Sequence, residues 1–149
     1  MPTDPNAAPP CNCLAVRQAA RRVTQFYDRF LAPSALRTTQ FSILSRLNRS
    51  GPMSIHALAE AMVMDRTTLG RNILPLEREG LVGVEQSTED RRSKNLKVTP
   101  EGLARLKEAT AGWKRAQSAF EGAFGAERAA ALRAVLHDVA TLDLDEAGA

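Results

Sequence analysis

Cysteine, aromatic residues and long apolar runs are scarce in this chain of 149 residues. Its two cysteines are separated by a single residue, which provides neither a disulfide framework nor a set of zinc ligands. No apolar run approaches the length that spans a membrane, and no charged and then apolar leader opens the chain. We therefore expect a cytoplasmic protein that has no membrane partner.

Motifs that support catalysis are missing as well. The sequence has no Gly-x-Ser-x-Gly nucleophile elbow, no phosphate-binding glycine loop, and no HExxH or Cys-x-x-Cys pair. His56 and His137 have no companions at the spacing of metal ligands. We expect no enzyme activity, no cofactor and no metal site.

The net charge of +3 does not by itself indicate that the chain binds nucleic acid. Residues 51–100 carry seven basic and seven acidic side chains, so this segment is neutral as a whole. A basic surface in this segment therefore depends on where the individual side chains are placed.

The stretch 54–99 begins with a pattern typical of two short helices joined by a turn. Ser54 and Asp65 can each cap a helix, because their side chains accept hydrogen bonds from N–H groups of the first turn. In the second helix Leu69, Ile73 and Leu76 recur at spacings of four and three, which predicts one buried face. The opposite face carries hydrogen-bond donors, namely Arg66, Thr67, Thr68 and Arg71.

A two-stranded β-hairpin is predicted after the second helix. Gly80 ends that helix, the stretch 81–86 alternates as a strand, and 96–98 returns as its partner. The loop between the strands is basic and contains Arg91, Arg92 and Lys94. The whole stretch 54–99 therefore predicts a winged helix-turn-helix.

These residues resemble the DNA-binding lobe of the MarR family of bacterial transcriptional regulators. The matching motifs are Asp65-Arg66-Thr67-Thr68-Leu69 at the start of the second helix, Leu76-Glu77-Arg78-Glu79-Gly80-Leu81-Val82 at its end, and Glu89-Asp90-Arg91-Arg92-Ser93 in the wing. The resemblance covers roughly residues 11 to 143. It implies a homodimer that binds a pseudo-palindromic operator in double-stranded DNA.

The resemblance assigns DNA binding to the second helix and the wing, with Arg92 reaching into a groove. The candidate DNA contacts are Arg66, Thr67, Thr68, Arg71, Arg91, Arg92 and Lys94. Asp90 is expected to hold the wing together as the structural partner of an arginine. Where the family usually has glycine in the turn before the recognition helix, this chain has Val63, which disfavours a positive φ.

We expect a mainly α-helical fold with a small β wing. Residues 1–10 are predicted to be a disordered tail, and residues 11–149 a single domain. Within that domain, 38–98 form the winged helix-turn-helix lobe, and 11–36 and 99–143 form dimerisation helices. The apolar surface of these terminal helices exceeds what one lobe can cover, so we expect a second copy to bury it.

An effector pocket is also implied, since this family typically has one between the dimerisation helices and the winged lobe. The candidate lining residues are Arg17, Arg21, Phe26, Phe41 and Arg46. An arginine beside aromatic rings suits a small aromatic carboxylate or an acyl thioester. Ion pairs between helices explain the same arginines equally well.

Cys13 is a candidate redox switch. With Asn12 as the N-cap of the first helix, Cys13 falls in the first turn, where the helix dipole favours its thiolate form. The branch of the family that senses organic hydroperoxides has its reactive cysteine at this position, and one of its tyrosines matches Tyr27. Cys11 would precede the helix and act as the resolving thiol. Packing of Cys13 at the dimer interface is an equally open alternative.

The sequence therefore predicts a DNA-binding transcriptional regulator that represses transcription. Either a small molecule or cysteine oxidation would release it from DNA. The alternative from another class is a winged-helix module that binds protein partners and does not bind DNA. A steep salt dependence of binding to random duplex DNA would distinguish the two, because only a DNA-binding protein displaces counterions from phosphates.

Overall fold

A computed structural model describes residues 9–148, which form six α-helices and a three-stranded antiparallel sheet. The helices are α1 (Asn12–Leu31), α2 (Thr38–Ser50), α3 (Ile55–Met62), α4 (Arg66–Arg78), α5 (Pro100–Phe124) and α6 (Ala126–Thr141). The strands are β1 (Met53–Ser54), β2 (Val82–Gln86) and β3 (Lys94–Val98), in the spatial order β1-β3-β2. Most of the predicted tail, residues 1–8, lies outside the described residues.

The starts of α3 and α4 lie where the sequence predicts them, and α5 begins where the predicted dimerisation segment 99–143 begins. Ser54, Asp65 and Thr99 cap α3, α4 and α5, and each side chain accepts a hydrogen bond from the N–H group three residues on, at 3.1, 2.8 and 3.0 Å. These caps set the ends of the helix-turn-helix and the point where α5 leaves the wing.

The start of α1 differs from the prediction. Cys11 is the N-cap, because its backbone is extended while Asn12 is already helical. The sulfur of Cys11 accepts a hydrogen bond from the N–H of Leu14 at 3.4 Å. The prediction that Asn12 is the N-cap, with Cys11 before it, is therefore corrected by one residue.

The hydrophobic core lies inside the winged lobe and extends to the start of α5. The predicted inner face of α4 is buried, with Leu69 and Leu76 fully inaccessible and Ile73 only 3% exposed. These residues pack in one cluster with apolar side chains of α2, α3, the sheet and α5. Because one face of α4 is buried in this cluster, the opposite face is exposed to solvent.

The terminal helices keep apolar side chains at their surface. The exposed fraction is 59% for Val135, 58% for Leu142, 48% for Leu14 and 45% for Val16. No helix in the described part of the chain is both long and apolar enough to cross a membrane. Most of the exposed large apolar side chains thus lie on α1, on α6 or just after α6, while Val63, Leu74, Val84 and Leu103 are exposed elsewhere.

Val63 ends α3 in the left-handed conformation, with a φ of 52° and a ψ of 47°. This conformation costs an L-residue about 1–2 kcal/mol, and the side chain is 70% exposed, so packing offsets little of the cost. We expect Val63→Gly to raise the free energy of unfolding by roughly 1 kcal/mol in denaturant titrations at matched protein concentration. Val84→Gly, at an exposed strand position, should lower it. An unchanged or lower value for Val63→Gly would contradict the strain at this turn.

Candidate nucleic-acid interface

Helix α4 is held at its start by Asp65. One carboxylate oxygen accepts the N–H of Thr68 at 2.8 Å, and the other accepts its hydroxyl at 2.7 Å. These bonds, the hydroxyl first and the N–H second, hold the pKa of Asp65 below its ordinary value of 3.8. Because the pKa is lower in the folded state, the ionised cap stabilises the fold fully at pH values above the ordinary pKa. This stabilisation is lost as the pH falls through the lowered pKa.

The outer face of α4 presents the predicted donors to solvent. Arg66, Thr67, Thr68 and Arg71 are all exposed. The hydroxyl proton of Thr68 is engaged by Asp65, so this side chain positions the helix and offers only its lone pairs outward. Asn72 also belongs to this surface, where its amide donates to the carbonyl of Thr68 at 2.9 Å. The sequence motifs do not indicate Asn72, although its spacing of four from Thr68 places it on the same side of the helix.

The wing is an antiparallel hairpin of β2 and β3, in which Val84 lies opposite Leu96. Asp90 shapes its tip, because its carboxylate accepts the backbone N–H of Arg92 at 2.9 Å and the hydroxyl of Ser93 at 3.3 Å. Asp90 is thus the structural partner of an arginine, as expected, and the group that it binds is the backbone N–H of Arg92. A carboxylate in a tight loop reaches the N–H two residues on more readily than a flexible guanidinium.

The basic side chains of the wing divide into two groups. Lys97 forms an ion pair with Glu85 at 3.0 Å, so its charge is offset within the hairpin. Arg91, Arg92 and Lys94 are exposed, and within residues 9–148 they have no carboxylate within 4 Å. The wing therefore carries three basic side chains without an ion-pair partner, beside the carboxylates of Glu89 and Asp90.

The redox candidates lie at two separate places on α1. Cys11 and Cys13 are exposed free thiols at its start. Tyr27 follows Cys13 by 14 positions on the same helix, roughly 20 Å away at a rise of about 1.5 Å per residue. Tyr27 therefore does not contact Cys13 of its own chain, and a contact between them requires a second copy.

Tyr27 instead belongs to a polar network that joins α1, α5 and α6. Its hydroxyl donates to Gln117 at 2.5 Å, and Gln117 and Arg133 both donate to the carboxylate of Glu121, at 3.2 and 3.1 Å. Burial raises the pKa of Tyr27, and the negative charge of Glu121 adds to this effect, whereas Arg133 opposes it. The phenol therefore stays protonated as the donor of the network.

The candidate effector residues do not form one pocket. Phe41 and Arg46 line a cavity of about 360 Å³ beside Trp113, whose ring stacks on Phe41 with centroids 6.1 Å apart. Phe26 lines a separate groove of about 590 Å³, because it packs on Phe120, two turns farther along α5. Arg17 and Arg21 are exposed on α1 and line neither cavity.

Comparison with known proteins places this geometry in context. A family model described as the MarR family matches residues 36–94. The chain is similar to the transcriptional regulator MosR of M. tuberculosis, solved in complex with DNA, with 34% identity over 89% of this chain and 100% of that one, and a TM-score of 0.73. Among curated proteins none matches the chain.

Two further solved structures share the fold. The transcriptional repressor CouR, bound to a 23-mer DNA duplex, is 27% identical over 87% of this chain and 92% of that one, with a TM-score of 0.79. A mutant of MarR from E. coli, complexed with operator DNA, is 18% identical over 85% and 91% of the two chains, with a TM-score of 0.76. At this last level of identity the likeness concerns the fold alone.

Proposed function

Because this chain belongs to the MarR family of transcriptional regulators, we propose that it binds a pseudo-palindromic DNA operator as a homodimer and represses transcription in the cytoplasm. The observation that carries this proposal is the pairing of an exposed donor face on α4 with three exposed basic side chains of the wing that form no ion pair in the described residues. The relatives MosR and CouR were solved with DNA, which supports the same function here. Membership of this family confirms a regulator and not an enzyme.

The proposed dimer uses the apolar surface of the terminal helices. Four apolar side chains of these helices are between 45% and 59% exposed in the single chain. They are Leu14 and Val16 on α1, Val135 on α6 and Leu142 directly after α6. Burying such surface against a second copy is favourable at about 25 cal/mol per Å². A two-fold axis through these helices would present two copies of α4 to half-sites about one turn of DNA apart.

The wing provides the first test of DNA binding. We expect Arg92→Ala to weaken operator binding, because its guanidinium is proposed to enter a DNA groove next to phosphates. The melting temperature and the dimer mass should hardly change, since an exposed side chain contributes little to the fold. Electrophoretic mobility shifts and analytical ultracentrifugation measure the two effects.

Arg115→Ala is the matched control, since it removes the same charge from an exposed position on α5. Equal affinities of wild type and Arg92→Ala would remove Arg92 from the interface. Failure of the wild type to bind any duplex would favour the protein-interaction module instead.

We further propose that the cavity beside Trp113 receives a small anionic effector, either an aromatic carboxylate or an acyl thioester. Phe41 and Trp113 supply aromatic faces, and Arg46 and Arg49 supply positive charge for a carboxylate. Trp113 is the single tryptophan of the chain, so its fluorescence reports on this cavity.

Benzoate is a suitable first probe for this cavity. Its binding should change the fluorescence of Trp113, and Arg46→Ala should raise the Kd by roughly tenfold or more, as expected for the loss of a charged hydrogen bond. Lys107→Ala, an exposed change elsewhere on α5, should leave the titration unaltered. Within the described residues Arg46 forms no ion pair, so interhelical pairing does not account for it. Equal benzoate affinity in wild type and Arg46→Ala would remove Arg46 from the proposed site.

A further inference from the structure

A polar cleft joins the recognition helix to helices outside the winged motif. Its volume is about 360 Å³, and it lies between α1, the start of α2 and the middle of α4. The side chains that matter here are Thr24, Asp28, Arg37, Thr39, Arg71 and Asn72. Arg37 immediately precedes α2, outside the helices and wing to which the sequence assigns DNA contacts.

The lining of the cleft carries two guanidinium groups and one carboxylate, so its charge is positive overall. Arg37 and Arg71 both line it, and within the described residues neither has a carboxylate within 4 Å. Its one carboxylate, Asp28, accepts both the N–H and the hydroxyl of Thr38 at 2.7 Å. Both bonds fall on one oxygen of Asp28, which joins α1 to α2, and the carboxylate forms no ion pair with either arginine.

The two guanidinium groups, flanked by a hydroxyl and an amide, suit an oxyanion with several acceptor oxygens. Arg71 also lies on the exposed face of α4 that is proposed to enter the major groove. The strand that borders this groove places its phosphates beside the helix, so a phosphodiester is the occupant that this position favours.

We propose that Arg37 binds a backbone phosphate of the operator, next to the bases that α4 contacts. Arg71 lies between this phosphate and the base edges. The inference rests on the proposed DNA binding and extends the interface from the winged motif to the start of α2. Arg37 positions the protein on any duplex, whereas Arg71 contributes to the choice of sequence.

The test is the salt dependence of binding for Arg37→Ala, with a random duplex and with the operator. Each lost phosphate contact lowers the slope of log K against log salt by about 0.9, so a dimer loses about 1.8. The ratio of the wild-type affinity to the Arg37→Ala affinity should then fall roughly tenfold between 50 and 200 mM salt, and by the same factor on both duplexes. Arg71→Ala should instead weaken binding to the operator more than binding to the random duplex.

Three further variants control this experiment. Arg37→Lys should keep the wild-type slope because it keeps the charge, and Arg37→Gln should behave like Arg37→Ala. Arg115→Ala removes a charge from α5 and should leave the slope unchanged. Equal melting temperatures of the wild type and the Arg37 variants would show that the fold is intact. If Arg37→Ala unfolds, the comparison of Arg37→Lys with Arg37→Gln takes its place.

The outcomes separate this inference from the proposed function. A wild type that binds duplex DNA, together with an unchanged slope in Arg37→Ala and Arg37→Gln, would overturn the role of Arg37 alone. A wild type that binds no duplex would overturn the proposed function itself. Binding of free inorganic phosphate that depends on Arg37, with no effect of Arg37 on DNA affinity, would assign the cleft to a small anion and also overturn the inference.

Discussion

Replacing Gly102 with alanine is expected to lower the free energy of unfolding by roughly 3 kcal/mol or more. Gly102 lies in the first turn of α5, where a Cβ atom would fall 2.1 Å from the carbonyl oxygen of Leu81 and 2.8 Å from a methyl carbon of Val98. The first of these is a backbone atom and cannot rotate away. Either α5 or the start of β2 must therefore move.

The hydrogen bonds around Gly102 make such a movement costly. The carbonyl of Leu81 accepts the N–H of Thr99 at 3.1 Å, and the hydroxyl of Thr99 donates to the carbonyl of Gly80 at 2.6 Å. These bonds join the end of the wing to the strand that begins it. We therefore expect Gly102→Ala to disturb the wing as well as the stability of the fold.

Gly122→Ala is the matched control on the same helix. No atom lies within 4 Å of a Cβ placed at Gly122, and its backbone is helical. This change should raise stability by about 0.5–1 kcal/mol, since alanine restricts the unfolded chain more than glycine does. Thermal unfolding of both variants at one protein concentration measures the difference. A melting temperature for Gly102→Ala at or above that of the wild type would refute the close approach of α5 to Leu81.

The largest effect on function is expected from oxidation of the thiols at the start of α1. Treatment with an organic hydroperoxide should reduce operator affinity of the wild type by tenfold or more. We expect the thiolate of Cys13 to attack the terminal peroxide oxygen, which would give a sulfenic acid and release the alcohol. The thiol of Cys11 would then attack the sulfenic sulfur, so that a disulfide would form and water would leave.

The structure gives the reason why this disulfide would alter α1. The sulfur of Cys11 caps the helix by accepting the N–H of Leu14, and Asn12 between the two cysteines is already helical. A disulfide across one residue requires a geometry that strains this first turn, and it removes the cap. Because α1 is a proposed dimerisation helix, a change there would alter the spacing of the two copies of α4.

Both cysteines lie at the positive end of the α1 dipole, so both must be tested. Operator binding of wild type, Cys11→Ser and Cys13→Ser is titrated with cumene hydroperoxide, and the disulfide is followed by mass spectrometry. We expect the two variants to retain binding, because neither can form the disulfide within one chain. Loss of binding in Cys13→Ser equal to that of the wild type, or no loss in any of the proteins, would return the cysteines to packing residues and favour a small-molecule effector.

The amino-acid sequence by itself determined the features that depend on neighbouring residues. Ser54, Asp65 and Thr99 cap helices because each side chain reaches an N–H group only three residues away. The spacing of Leu69 and Ile73 likewise decided which face of α4 is buried, and hence that Arg71 is exposed. Such hydrogen bonds and periodicity depend only on residues that are close in the sequence, so they can be predicted without the rest of the chain.

Only the tertiary structure decided which distant residues share a site. The packing of α2 against α1 and α4 brings Arg37 beside Arg71, although 33 positions of the sequence separate them. The packing of α1 and α2 on different turns of α5 separates Phe26 from Phe41. The crossing of helices sets these distances, and it depends on the side chains of several elements packed together, which no local pattern encodes.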